Sequence, residues 1–238
     1  MKLPFIKKSS NKKSKKSSKG ETLLALDLGT EFIKAVVFKV IDNKVVVKGY
    51  SRTQQQSNAM RGAMIVNIKN VISTADLAIG KALSMAEKQE KGISLPEKTI
   101  LGIAGEFVRG VPIVAKYTRE KPDRKISRDE IEQVVERVKD QAFVGAKADI
   151  AKEIGIKVDK IEEINTVVDH TSIDGVRIDD PEGFTGEKVS YKVFSTFAPS
   201  IHINSIKEIA EALTLEIMEI VVEPYAIAIG TKGARDDT

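Results

Sequence analysis

A chain of 238 residues is long enough for one large or two small domains. It is 42% hydrophobic and 30% charged, the balance of a soluble globular protein. No apolar run approaches the ~20 residues of a membrane span, and the absence of Cys excludes disulfides, thiol chemistry and thiolate metal sites.

The net charge of +4 is unevenly placed. Residues 1–20 hold eight Lys and no acidic residue, leaving 30 basic against 34 acidic residues and a net charge of −4 on the remainder. This Lys/Ser-rich leader is expected to be disordered. Its apolar part stops at Ile6 and contains Pro4, so it is no secretory signal. The lysines from Lys7 to Lys19 suit an anionic membrane surface, at about 1 kcal/mol each near the bilayer. Leu3, Phe5 and Ile6 supply a small apolar anchor beside them. Nucleic acid is the weaker partner, because no aromatic residues interleave with the lysines for base stacking. A plain solvated tail also fits this composition.

The first ordered stretch is LLALDLGTEFIKA, Leu23 to Ala35. An apolar run reads as a strand buried on both faces. It ends in the turn Asp27-Leu28-Gly29-Thr30, and a second β-rich run extends from Phe32 to Val40. Gly29 is expected to let the backbone adopt positive φ and a ligand come close. Backbone N–H groups of Leu28 and Gly29 and the Thr30 hydroxyl are placed to face a phosphate. Lys34 returns a positive charge to the same place. Asp27 suits a hydrated Mg²⁺ held through water, since magnesium keeps several waters and needs few carboxylates. The same tetrapeptide equally describes an ordinary hairpin turn.

A third strand, Lys44 to Arg52, follows a tight turn at Asp42-Asn43 and completes a meander. Thr53 to Asn58 reads as a loop. A helix is predicted from Lys69 to Glu90, capped by Asn67. Val71, Ala75, Ala78, Ile79, Ala82, Leu83 and Ala86 form its apolar stripe, and Gly92 stands past its end. Thr99 to Ala104 is a buried strand followed by Gly105. Val111 to Tyr117 is expected to pair with it as a hairpin, on an edge because of Pro112.

Ser127 and Glu130 form a capping box, with Ile126 and Ile131 as its hydrophobic staple. The helix they open carries Val134, Val135 and Val138 on one face and is expected to break near Gly145. Glu130, Glu132 and Glu136 read as its solvated face, since carboxylates with neither a partner His nor a metal do not make a catalytic constellation. Strands are predicted at Glu163–Asp169 and Lys188–Phe197, with Val189, Tyr191 and Val193 on one face of the latter. Asn204 or Ser205 is expected to cap the next helix, and Glu216–Val222 is a further strand. His170 and His202 lack metal-ligand spacing and read as partly exposed residues.

The pattern D-x-G-T-x-x-x-K-A, as Asp27, Gly29, Thr30, Lys34 and Ala35, resembles the first phosphate loop of the actin-like ATPases. The wider context resembles the FtsA-like cell-division proteins, with the PilM-like pilus-assembly proteins as close relatives. It includes Arg61-Gly62 before the first helix, the spacing Asp174-Gly175, Pro181, Gly183 and Gly186, and Glu223-Pro224-Tyr225-Ala226. Glu31, Asn67 and the long stretch from Gly145 to Lys160 depart from the family pattern.

The resemblance implies an α/β fold. One half of an actin-like ATPase, a ribonuclease H-like mixed sheet with flanking helices, carries a small inserted α+β domain. Residues 1–20 would be the leader, 21–96 and 198–232 the actin-like domain, 97–197 the insertion, and 233–238 a tail at the interdomain hinge. ATP and Mg²⁺ would be held by Asp27, Leu28, Gly29, Thr30 and Lys34, with the metal on Asp27 through water. The family's second loop, D-x-G-G-G, does not occur in this sequence. Binding is therefore expected to be weak or absent and hydrolysis incompetent, with no catalytic residue assigned. Implied partners are a second copy through the inserted domain, and FtsZ or other division proteins in a full-length form. The implied location is the cytoplasm, at the inner face of the cell membrane.

Overall fold

Among the described residues, two larger sheets hold all but two of the strands, and each is built around its own apolar cluster. The structure, a computed structural model, describes residues 20–62, 64–103, 108–222 and 225–226, with the backbone alone at 135 and 137–142. The leader, Ala104-Gly105, Glu223-Pro224, the tail and the side chains of Val135 and Val138 lie outside the described residues.

The first sheet begins as the expected meander of β1 (Thr22–Leu28), β2 (Phe32–Ile41) and β3 (Lys44–Gln54), all antiparallel. Asp42 and Asn43 take positive φ of 49° and 64°, which forms the two-residue turn that suits strand twist. A short ladder, β4 (Met60–Arg61) with β5 (Met64–Ile65), leads into α1 (Ile68–Gln89). Asn67 caps α1 by accepting a bond from the Asn70 N–H at 3.1 Å.

The α1 stripe packs as its spacing predicts, with Val71, Ala75, Ala78, Ala82 and Ala86 fully buried. Its alanines let the helix lie close on β3, where the Ser51 hydroxyl donates to the Ala78 carbonyl at 2.6 Å. Glu90, the C-cap, accepts from Lys39 at 2.6 Å and Lys48 at 3.0 Å. These two bonds hold its carboxyl down to about 2.

β6 (Lys98–Ile103) does not form a hairpin with the strand after it. It pairs in parallel with β1 on one side and with β11 (Glu216–Val222) on the other. The sheet order is β11-β6-β1-β2-β3, a ribonuclease H-like mixed sheet. The expected boundary at residue 97 is therefore too early, since β6 belongs to the first sheet. One face of this sheet is deeply buried through Leu24, Leu26, Leu28, Ile33, Ala35, Val37, Leu101 and Ile103. The opposite face of β1, with Leu23, Ala25 and Asp27, is only half-buried, not sealed on both sides as its apolar run predicts.

The second sheet, in the order β7-β10-β8-β9, is wholly antiparallel. It comprises β7 (Arg109–Thr118), β8 (Ile161–Ile173), β9 (Val176–Ile178) and β10 (Lys188–Pro199). Pro112 lies on the edge strand β7, as its missing donor requires. Across this sheet lies α2 (Arg128–Ile154), continuous through Gly145 and ended by Gly155 in the left-handed region. The expected break is absent because Phe143, Ile150 and Ala151 anchor the helix on both sides of Gly145. Their burial outweighs the ~1 kcal/mol that an interior glycine costs.

Ser127 caps α2, but the Glu130 side chain does not close the reciprocal half of the box. It is not a solvated carboxylate either. Arg119 and Tyr117 both bond it, and the Arg119 guanidinium holds its carboxyl below the ordinary range. The chain then returns to the first sheet through α3 (Ser200–Ala212). This helix starts directly after Pro199, not at Asn204 or Ser205, and the Ser205 hydroxyl turns back to the Ile201 carbonyl. His202 is only 3% exposed and sits in the buried row with Ile203, Ile206, Ile209 and Ala210. Burial pushes its imidazole below its usual value.

Candidate phosphate-binding site

Asp27 is the penultimate residue of β1, and pairing on both sides of that strand decides what surrounds it. Its antiparallel neighbour on β2 is Lys34 and its parallel neighbour on β6 is Gly102. Lys34 Nζ lies 2.9 Å from Asp27 Oδ2, with the two side chains 57% and 41% exposed. The spacing of seven residues thus brings the carboxylate and the ammonium together at the open end of the sheet. Leu28 turns the other way, into the core at 2% exposure, so only its backbone can serve a ligand. Thr30 and Glu31 are exposed at the hairpin tip.

Gly29 is needed for a different reason from the one expected. It is not among the glycines at positive φ. A Cβ there would lie 2.6 Å from the Phe32 carbonyl oxygen, so close approach across the turn is what demands glycine.

Strand pairing extends the row to a residue that sequence reasoning missed. Lys34 pairs with Arg52 on β3, so Gly102, Asp27, Lys34 and Arg52 stand side by side on four adjacent strands. They share the face opposite Leu28, Ile33 and Thr53, because alternate residues of a strand point to opposite sides. The Arg52 guanidinium lies 3.5 Å from the centroid of the Phe32 ring. Counting back from the Asp42-Asn43 turn would place Ser51, not Arg52, opposite Lys34. A bulge between Val37 and Phe38 shifts the register by one residue and leaves Lys48 unpaired in the ladder.

One carboxylate and two cations form a surface for a metal–phosphate ligand. No group of three or more His, Cys, Asp or Glu side chains among the described residues could hold a metal unaided. Asp27 would give a Mg²⁺ one carboxylate, through water, with the phosphates completing the shell. Lys34 fits as the phosphate's charged donor.

A second concavity of about 450 Å³ separates the two sheets. It is lined by Glu162–Thr166 of β8, Ile203 and Lys207 of α3, Ile217–Ile220 of β11, and Tyr225. Inside it, Asn165 Nδ2 donates to Glu219 Oε1 at 3.2 Å, and burial raises the Glu219 carboxyl.

No family model matches the chain. It is 26% identical over 216 residues to the cell division protein FtsA of Pseudomonas aeruginosa, covering 88% of this chain and 45% of that one. Among solved structures, the PilM-PilN type IV pilus biogenesis complex matches with a TM-score of 0.55 at 12% identity, over 86% of this chain and 48% of that one. The chain spans about half the length of both. In sequence the chain is thus similar to FtsA, and its fold is half of the actin-like fold, with PilM as a structural relative.

Proposed function

We propose that the chain is an actin-like cell-division scaffold whose first hairpin grips the phosphates of Mg-ATP. The observation that carries this reading is the Asp27–Lys34 pair, 2.9 Å apart on the half-open face of the central strands. In this reading Lys34 bonds a phosphate oxygen, Asp27 holds the hydrated metal, and Leu28, Gly29 and Thr30 supply donors at the turn. Phosphoryl transfer depends on positioning and electrostatics. One loop with a single carboxylate positions few of the groups it needs, so the 238-residue chain is expected to bind weakly and not to hydrolyse. The second sheet is the surface for self-association. Tethering of an FtsZ ring at the membrane is the further role of such a scaffold, with the Lys-rich leader contributing at an anionic bilayer. Among the described residues, no helix is long and apolar enough to cross a membrane.

A fluorescent-nucleotide titration tests the site. Lys34→Ala is expected to weaken Mg-ATP binding about tenfold, the worth of one charge-assisted bond. Unchanged affinity would remove the hairpin from the site. Sub-micromolar binding or steady hydrolysis by wild type would overturn the expectation of a weak site.

A second reading, a PilM-like adaptor for a pilus machine, is favoured by the concavity between the sheets. Its mixture of Ile164, Ile217 and Ile220 with Glu162, Glu163 and Glu219 suits a short amphipathic basic peptide. Met218, half-exposed on its rim, is the residue to change. Met218→Arg is expected to abolish capture of a partner encoded beside this chain while leaving nucleotide affinity alone. Capture that survives the substitution would reject the groove.

A further inference from the structure

We propose that Arg52 is a second cationic arm of the phosphate site, and that the hairpin face takes a polyphosphate chain laid across β1, β2 and β3. This rests on the phosphate reading above and goes beyond it by assigning a new residue and a ligand length.

Three observations carry it. The first is position: Asp27, Lys34 and Arg52 are consecutive lateral partners, so their side chains leave the same face. With strands about 4.8 Å apart, the row from Asp27 to Arg52 spans about 10 Å, further than a single phosphate reaches. The second is how that position arises. Without the bulge at Lys48, Arg52 would face the α1 side of the sheet, because a one-residue slip inverts every side chain beyond it. The bulged residue is itself held, by the 3.0 Å bond from Lys48 Nζ to Glu90. The third is preparation. Phe32 and Lys34 are two residues apart on one face of β2, and the Phe32 ring stacks on the Arg52 guanidinium at 3.5 Å. Stacking restrains a long side chain beside Lys34 while its N–H donors stay open to a ligand, since Arg52 is exposed. Arg52 with Lys34 outweighs Asp27, so the row has a net positive charge before a metal arrives.

The experiment uses the full 238-residue chain and three probes: Mg-ATP, inorganic tripolyphosphate and orthophosphate. Arg52→Gln is expected to lower tripolyphosphate and Mg-ATP affinity about fivefold, the scale of an exposed charge pair, and to leave orthophosphate binding unchanged. Arg52→Lys should recover part of that loss. Phe32→Leu, which removes the stack but keeps the charge, should give a smaller loss than Arg52→Gln. Tripolyphosphate affinity equal to wild type in Arg52→Gln, while Lys34→Ala still weakens binding, would overturn the second arm alone. An equal fall for orthophosphate would overturn the extended chain. Wild type binding neither tripolyphosphate nor Mg-ATP would overturn the phosphate reading and this inference with it.

Discussion

Gly49→Ala, a change of one methyl group, is expected to destabilise the chain by about 3 kcal/mol, the upper end of the usual overpacking cost. A Cβ at Gly49 would lie 2.1 Å from the Ala82 carbonyl oxygen and 2.7 Å from the Ala86 nitrogen. Both atoms are helix backbone, so no side-chain rotation can relieve the clash. The helix cannot move away cheaply either. Its stripe from Val71 to Ala86 is fully buried, and the Ser51 bond to the Ala78 carbonyl ties it to the same strand. Moving α1 outward would open voids along the whole stripe. Urea unfolding followed by circular dichroism reads the effect. Because the conflict begins at Cβ, Gly49→Ala should cost nearly as much as Gly49→Val. A neutral alanine variant would mean that α1 does not approach β3 this closely.

Arg119→Ala is expected to cost about 3 kcal/mol, the lower end of the range for breaking a buried pair, because Glu130 keeps some access to water. The Arg119 side chain is 3% exposed and all five of its N–H donors are used. Nε and Nη2 bond the two Glu130 oxygens at 2.7 and 3.0 Å, and the remaining donors reach the carbonyls of Pro122, Arg124 and Gly186. One guanidinium thus joins the start of α2 to two loops at the end of the second sheet. Lysine cannot reproduce a five-donor fork, so Arg119→Lys should recover little. Hydrogen exchange should show protection lost first in β7 and β10, with β1 and β6 unaffected.

Acid sensitivity provides an internal check on that pair. Bonding to Arg119 depresses the Glu130 carboxyl below its ordinary value of 4.5. The pair's contribution is therefore present above that value and fades as pH falls through it toward the folded-state value. Arg119→Ala should lose this part of the acid dependence. Equal acid slopes in wild type and variant would mean that Glu130 is stabilised by something else.

Much of this was legible from local chemistry. The strands around Asp27, the Asp42-Asn43 turn, the caps at Asn67 and Ser127 and the α1 stripe follow from residue type and spacing alone. What could not be read is where non-local partners decide. Thr99–Ala104 and Val111–Tyr117 are near in sequence and both β-rich, which suggests a hairpin. A strand does not name its partner, however, and β6 finds β1 and β11 instead. His202 reads as partly exposed in the sequence, although it stands on the same helical spacing as Ile206 and Ile209, a signal that would have marked it as core. Asp27 and Lys34 were visible because both flank one short turn. Arg52 was not, since an unpaired Lys48 changes its side of the sheet and no propensity announces that change.

The extra residue in β3 also limits how this strand tolerates length changes. Loss of Lys48 alone would restore a regular ladder and leave every residue from Gly49 to Gln54 on its present partner and face, whereas a strand that straightened while keeping Lys48 would present tyrosine to the helix and glycine to solvent. Changes in length between Gly49 and Gln54 should therefore survive selection only as even-numbered steps or as paired compensations, whereas Lys48 can be lost and the Asp42-Asn43 tip can grow without turning any residue over.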